Sequence, residues 1–254
     1  MDIDLVLPDD AAAEVAELAD RYAKASRGGI AVINALGGRA ETWMNRLPDP
    51  VRAGLDGATR AALEQAVKAA QASRSAVRDQ PDWVNSAIST AMGAAGGFGG
   101  GATSLAELPV TTTLLLRMIQ GVASEHGFDP SEENVAFDCI TVFASAGPLE
   151  GDDGAETGFL SARVALNGAA FQKILQVVAP RLAAAMGQKL AAQAVPVLGA
   201  AAGAAINYTY TQYYREMAHI HFRLRRMAVE VDVPERILID VLRREMAARP
   251  VSKA

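Results

Sequence analysis

The stretch WVNSAISTAMGAAGGFGGGATSLAELPVTTTLLLR, from Trp83 to Arg117, decides how the chain is built. Its first part, Trp83 to Ala106, runs 24 residues without a charge and holds Gly93, Gly96, Gly97, Gly99, Gly100 and Gly101. Gly93, Gly97 and Gly101 fall four apart, as do Gly96 and Gly100. On a helix that spacing makes a face without side chains, against which another backbone can lie closely. Each glycine also costs about 1 kcal/mol of helix propensity relative to alanine, so the sequence predicts helix to about Ala95 and irregular chain beyond it. The second part is apolar with one acid, Glu107, and one base, Arg117. It predicts a helix from Leu108 to His126, with Pro109 in its first turn, Leu114, Leu115, Met118 and Val122 as core, and Gly127 at its end.

Working outward, Asp9 or Asp10 can cap a first helix reaching Leu36, because Val15, Leu18, Ala19, Tyr22, Ile30 and Ile33 recur near helical spacing. Gly28 and Gly29 are expected to kink or break it. Pro48 and Pro50 mark a turn, and Asp49 can cap a second helix through Val77. On the C-terminal side, a helix over Asp129 to Ala146 is entered by Ser131, with Glu132 and Glu133 suiting the positive end of its dipole. The loop GPLEGDDGAETG, Gly147 to Gly158, has no calcium-loop spacing and reads as solvated charge. Phe159 to Ala194 reads as helix, with a break near Pro180.

A second charge-free run, Leu190 to Tyr214, spans 25 residues and repeats Gly199, Gly203 and Asn207 at four-residue spacing. It predicts a helix from Val195 or Pro196 whose bare stripe crosses the first one closely, continuing through Tyr213, Tyr214 and HIHFRLRRM to end before Asp232 and Pro234. A last helix is expected from about Pro234 to Ala248. No segment alternates as a strand does, so the expected fold is all-α: a single multi-helix bundle with long Gly/Ala-rich central helices. Residues 1–50 form an N-terminal helical extension and 51–254 the main helical domain.

Composition narrows the function. Of 254 residues half are hydrophobic, the excess coming largely from alanine, and the net charge is −5. An acidic chain without a basic surface argues against nucleic acid as a partner. The single cysteine, Cys139, lies in an apolar run and reads as a small buried hydrophobe. The acidic start MDIDLVLPDD lacks the cationic end and apolar core of a secretion signal, which gives the expectation that the mature chain begins near Met1.

The order of a glycine-rich stretch, AELPVTTTLLLRMIQGVASEHGFD (Ala106 to Asp129), and PVLGAAAGAAIN (Pro196 to Asn207) leading into a long Tyr/His/Arg helix resembles the EcsC family of bacterial proteins. The likeness spans about Val51 to Met227. It implies a mostly helical, cytoplasmic or membrane-associated protein with no established activity, encoded in some bacteria beside an ABC transporter. The motif positions that carry over are Glu107, Pro109, Arg117, Gly199, Gly203 and Asn207. Glu107 departs conservatively from the aspartate commoner there, and His126 stands where an aromatic residue is expected.

Glu107 and Arg117 sit among apolar residues, where an unpaired charge is costly, so both need partners. They read either as a buried salt bridge with a capped helix start or as a polar site joined by Asn207 or Glu216. His219 and His221 are two apart on one helix and point about 200° apart, so they cannot share a metal ion. Gly96 to Thr103 lacks the lysine of a phosphate loop, and no elbow or zinc motif is present. No cofactor is expected, and the balance of motifs leans away from an enzyme. Both uncharged runs are long enough to cross a bilayer yet poor in large apolar side chains. Tyr213, Tyr214, Arg223, Arg225 and Arg226 therefore read in two ways, as a face toward anionic lipid or as core tyrosines with solvated arginines. The expected partners are a membrane surface, a membrane protein such as an ABC transporter, or an apolar ligand near Glu107, Arg117 and Asn207. The expected location is cytoplasmic, peripheral to the inner membrane.

Overall fold

A computed structural model describes residues 7–35, 49–74, 100–144 and 199–249, together with helical residues at 175–176, 178–180, 182–187 and 189. Among the described residues every regular element is helical. Six α-helices are named here in chain order: α1 (Asp9–Ala35), α2 (Asp49–Arg74), α3 (Gly100–Glu125), α4 (Glu133–Thr141), α5 (Gly199–Glu230) and α6 (Glu235–Ala247).

Each helix buries the stripe its sequence spacing dictates. On α1 the buried positions are Ala11, Val15, Leu18, Ala19, Tyr22, Ala23 and Ser26, one face repeating every three or four residues. Asp9 and Asp10 occupy its first turn, where negative charge complements the helix dipole. On α2 the stripe is Leu55, Thr59, Ala62, Leu63 and Ala66. The C-terminal half of α3 is buried nearly all round, from Leu115 to Ala123, because α2 covers one side and α5 the other. At 32 residues, about 48 Å by helical rise, α5 is the longest of these six helices and packs against α1, α3 and α6. Residues from all six helices contribute to one continuous core.

Several boundaries differ from expectation for identifiable reasons. Gly28 and Gly29 do not break α1, which runs helical through both. Packing of Val15 to Ser26 on the core outweighs a glycine cost of about 1 kcal/mol each. Helix α3 begins at Gly100, not Leu108, so Pro109 lies inside it and not in its first turn. A helical proline has no N–H to offer the carbonyl four residues earlier. Thr113 Oγ1 donates to the Pro109 carbonyl at 2.7 Å. Helix α4 begins at Glu133, and Ser131 does not cap it. Instead Asp129 Oδ1 accepts from the Ser131 N–H at 2.8 Å and turns the chain ahead of the helix. Residues 178–180, Pro180 included, and 182–187 are helical. The expected crossing of the glycine stripes falls partly on residues 93–99, outside the described residues, as does the loop over 147–158.

The turn from α3 to α4 is closed by Gly127 at φ +81°, the left-handed conformation that favours glycine. The Phe128 N–H reaches back to the Ala123 carbonyl at 3.0 Å, capping the helix end. Asp232, at φ 51°, performs the same turn between α5 and α6, with the Val233 N–H on the Ala228 carbonyl at 3.2 Å.

Candidate functional site

The polar chemistry of the described residues is concentrated on α5. Toward α1 it forms two rungs: Arg223 with Glu14, and Arg21 with Glu216. Arg223 Nη2 donates to Glu14 Oε2 at 2.7 Å, and Arg21 Nε donates to Glu216 Oε2 at 2.9 Å. Glu14 and Arg21 stand seven apart, as do Glu216 and Arg223, so each pair lies two turns along one face and the helices run antiparallel. The signs alternate, acid then base on α1 against base then acid on α5, which holds this register against a slip. Arg223 Nη1 also donates to Glu230 Oε2 at 2.7 Å, and Arg226 Nε donates to Glu230 Oε1 at 2.8 Å. Bonds from Arg226 and then Arg223 hold Glu230 below the usual carboxylate range.

Toward α4, Arg225 pairs with Asp138, both side chains nearly buried, and its guanidinium lies 4.5 Å from the Phe128 ring centre. His221 Nε2 is 3.9 Å from the other oxygen of Asp138. Toward α3, His126 Nε2 and His219 Nδ1 stand 3.1 Å apart, close enough for one ring to donate to the other. Burial, and then Arg223, Arg21 and Arg226, push His126 below its ordinary range. Burial and then Arg21 bring His219 down to about 4, against the opposing pull of Glu216. The pair is therefore neutral at pH 7. His219 and His221 thus serve different neighbours, as their angular separation on α5 requires.

Beyond the Arg21–Glu216 rung, α1 and α5 leave between them an open groove of about 670 Å³. Arg21, Lys24, Ala25 and Gly28 line it from α1, and Ala205, Tyr208, Thr209, Gln212, Tyr213 and Glu216 from α5. The space exists because Ala25, Gly28 and Ala205 are small at the turns where larger residues would fill it. A Cβ placed on Gly28 would meet nothing within 4 Å.

The positions singled out from sequence are distributed otherwise. Arg117 is partly buried on α3, and the Glu107 side chain lies outside the described residues, so their pairing does too. Pro109 is in the interior of α3, and Gly199 and Gly203 in the first turns of α5. Asn207 is buried, roughly 180° around α5 from the groove, so it does not line that space. Tyr213 and Tyr214 are core residues, 2% and 0% exposed, and Tyr214 packs edge-on against Phe143. Arg223, Arg225 and Arg226 are committed to Glu14, Glu230 and Asp138 and are not a free basic patch.

Sequence reading did not find the groove, the histidine pair or Lys189, a fully buried lysine in the helical residues ending at 189. The matched seven-residue spacings of Glu14 with Arg21 and Glu216 with Arg223 were the one signal that could have placed α1 on α5. Cys139 is buried, and among the described residues no group of His, Cys, Asp and Glu is arranged to hold a metal ion.

This geometry defines an all-α bundle protein whose longest helix is bound to its neighbours by ion pairs and opens on one side into a groove. Residues 53–227 match the model of the EcsC protein family, more than half of the 254-residue chain, and the chain belongs to that family. No curated protein and no solved structure matches it. The matched segment excludes α1 and α6, so the α1 wall of the groove lies outside it.

Proposed function

We propose that this chain is a non-enzymatic accessory protein working at the cytoplasmic face of a membrane, peripheral to it, where it holds an apolar or lipid-like ligand and meets a membrane protein such as an ABC transporter. The observation that carries the reading is the α1/α5 groove, whose volume lies within the range of about 300–1,000 Å³ usual for ligand pockets. Exposed Tyr208 stands at that groove, an aromatic ring able to rest at an interface between water and hydrocarbon. No helix of the described residues is long and apolar enough to cross a membrane. The mutual pairing of the arginines favours a structural role for the charged residues of α5 over a catalytic one. The partner and the location rest on the family resemblance alone.

A second reading uses the same groove in a protein that never meets a membrane, with the ligand carried in solution. Fractionation of expressing cells separates the two: membrane-bound protein released by high salt or carbonate supports peripheral attachment, and protein wholly in the soluble fraction refutes it. Native mass spectrometry of the purified chain tests the ligand. A co-purifying small apolar mass supports both readings, and its absence together with no uptake of added lipid refutes both.

A further inference from the structure

Resting on the reading of the groove as a ligand site, we infer that it takes an anionic amphiphile with a single acidic head. The head sits on Lys24 beside the Arg21–Glu216 rung, and the hydrocarbon chain lies along Ala25, Gly28, Ala205 and Tyr208. Charge sets the sign of the head. Among the described residues three ionised side chains line the groove, and Arg21 and Glu216 neutralise each other at 2.8 Å. Lys24 has no ion-pair partner among the described residues, so their part of the lining carries one uncompensated positive charge.

The shape of the lining sets the rest of the molecule. Ala25, Gly28 and Ala205 offer apolar surface without bulk, Tyr213 forms a buried wall, and Tyr208 is 51% exposed at the rim. The hydroxyl of Thr209 already donates to the Ala205 carbonyl at 2.8 Å, which removes it as a donor to a polar ligand chain. A docked protein helix would need a broad exposed apolar face. Of the exposed large hydrophobic residues among those described, Tyr208 lines this groove, while Val110 and Val229 lie elsewhere. A slender alkyl chain with one charge fits what is present. Along α5 the groove extends from Ala205 to Glu216, about 16 Å of helical rise.

The test is competition against a fluorescent long-chain carboxylate on the full-length chain, with hexadecanoate, hexadecyl phosphate, hexadecanol and octanoate as competitors. Hexadecanoate and hexadecyl phosphate are expected to displace the probe, distinguishing a carboxylate from a phosphate source by their ratio, and hexadecanol to be roughly tenfold weaker for want of a charge. Octanoate is expected to be much weaker, since each buried methylene strengthens binding by up to roughly fourfold. Lys24→Glu should weaken hexadecanoate roughly tenfold and Lys24→Arg should retain it.

Gly28→Leu, whose Cβ would meet nothing within 4 Å, should keep the melting temperature and abolish binding. Ala205→Leu blocks the groove from the facing helix and provides an independent check. Equal binding by hexadecanol and hexadecanoate, or unchanged binding in both Gly28→Leu and Ala205→Leu, overturns the inference. Flotation with phosphatidylglycerol vesicles separates it from membrane attachment. Flotation retained by Gly28→Leu with probe binding lost supports the groove as a site distinct from the membrane contact. Probe binding absent from the wild-type chain that still floats overturns the groove alone.

Discussion

Replacing Asp138 by asparagine removes the counter-charge of Arg225 while keeping the size of the side chain. Asp138 and Arg225 expose 13% and 11% of their side chains, and Phe128 covers the guanidinium at 4.5 Å, so water cannot readily replace the lost carboxylate. Breaking a fully buried ion pair from one side costs about 3–5 kcal/mol, and the residual exposure here reduces that to about 2–3 kcal/mol. For a domain of this size the loss corresponds to a fall of roughly 5–10 °C in melting temperature. Removing both charges, as in Asp138→Leu with Arg225→Met, leaves no stranded ion and should return stability to within about 1 kcal/mol of the wild type. The assay is urea denaturation of the wild type, the single variants and the double variant, followed by far-UV circular dichroism. If Asp138→Asn lies within about 0.5 kcal/mol of wild type, or if the double variant is no better than the singles, the pair is not the buried clamp described here.

Acidification should destabilise the protein through its histidine pair. The folded-state pKa of His219 is about 4 and that of His126 is also lowered, so the unfolded chain takes up protons first as pH falls below the ordinary value of 6.5. Stability is therefore retained above about pH 6.5 and lost progressively toward pH 4. After allowance for partial exposure, His219 contributes on the order of 1 kcal/mol between pH 7 and 5. His219→Gln should flatten that part of the urea-midpoint profile, and an unchanged slope would count against the assignment. Gly127→Ala should cost about 1–2 kcal/mol, because alanine disfavours φ +81° and its Cβ would stand 2.7 Å from Arg226 Nη1, which donates to the His126 carbonyl. Thermal melts check it. Pro109→Ala should raise stability, since alanine restores an N–H inside α3, and a lower melting temperature would show that the ring itself is needed for packing. Ser26→Ala should be neutral or stabilising by up to about 1 kcal/mol, because the buried Ser26 hydroxyl has no hydrogen-bond partner among the described residues.

How much was legible follows from the range of each interaction. The order of the described helices and the buried face of α1 came from local periodicity: Val15, Leu18, Ala19 and Tyr22, which recur near helical spacing, are all buried. The early start of α3 and the unbroken passage of α1 through Gly28 were misread, because tertiary packing outweighs local glycine cost by more than any propensity scale shows. Tyr213, Tyr214 and the three arginines remained ambiguous between surface and core for the same reason. Composition says they are amphipathic, and only a neighbour decides which end is covered.

Taken alone, the amino-acid order determined an all-α chain, the order of its described helices and its likeness to the EcsC family. The three-dimensional arrangement decided which charges meet: Glu14 with Arg223 across 209 residues, and His126 with His219 across 93. It also left the space between Gly28 and Ala205 open. Helix formation is governed by groups three or four residues apart, whereas pairing between helices depends on their relative rotation and register, which is fixed only when their faces pack together.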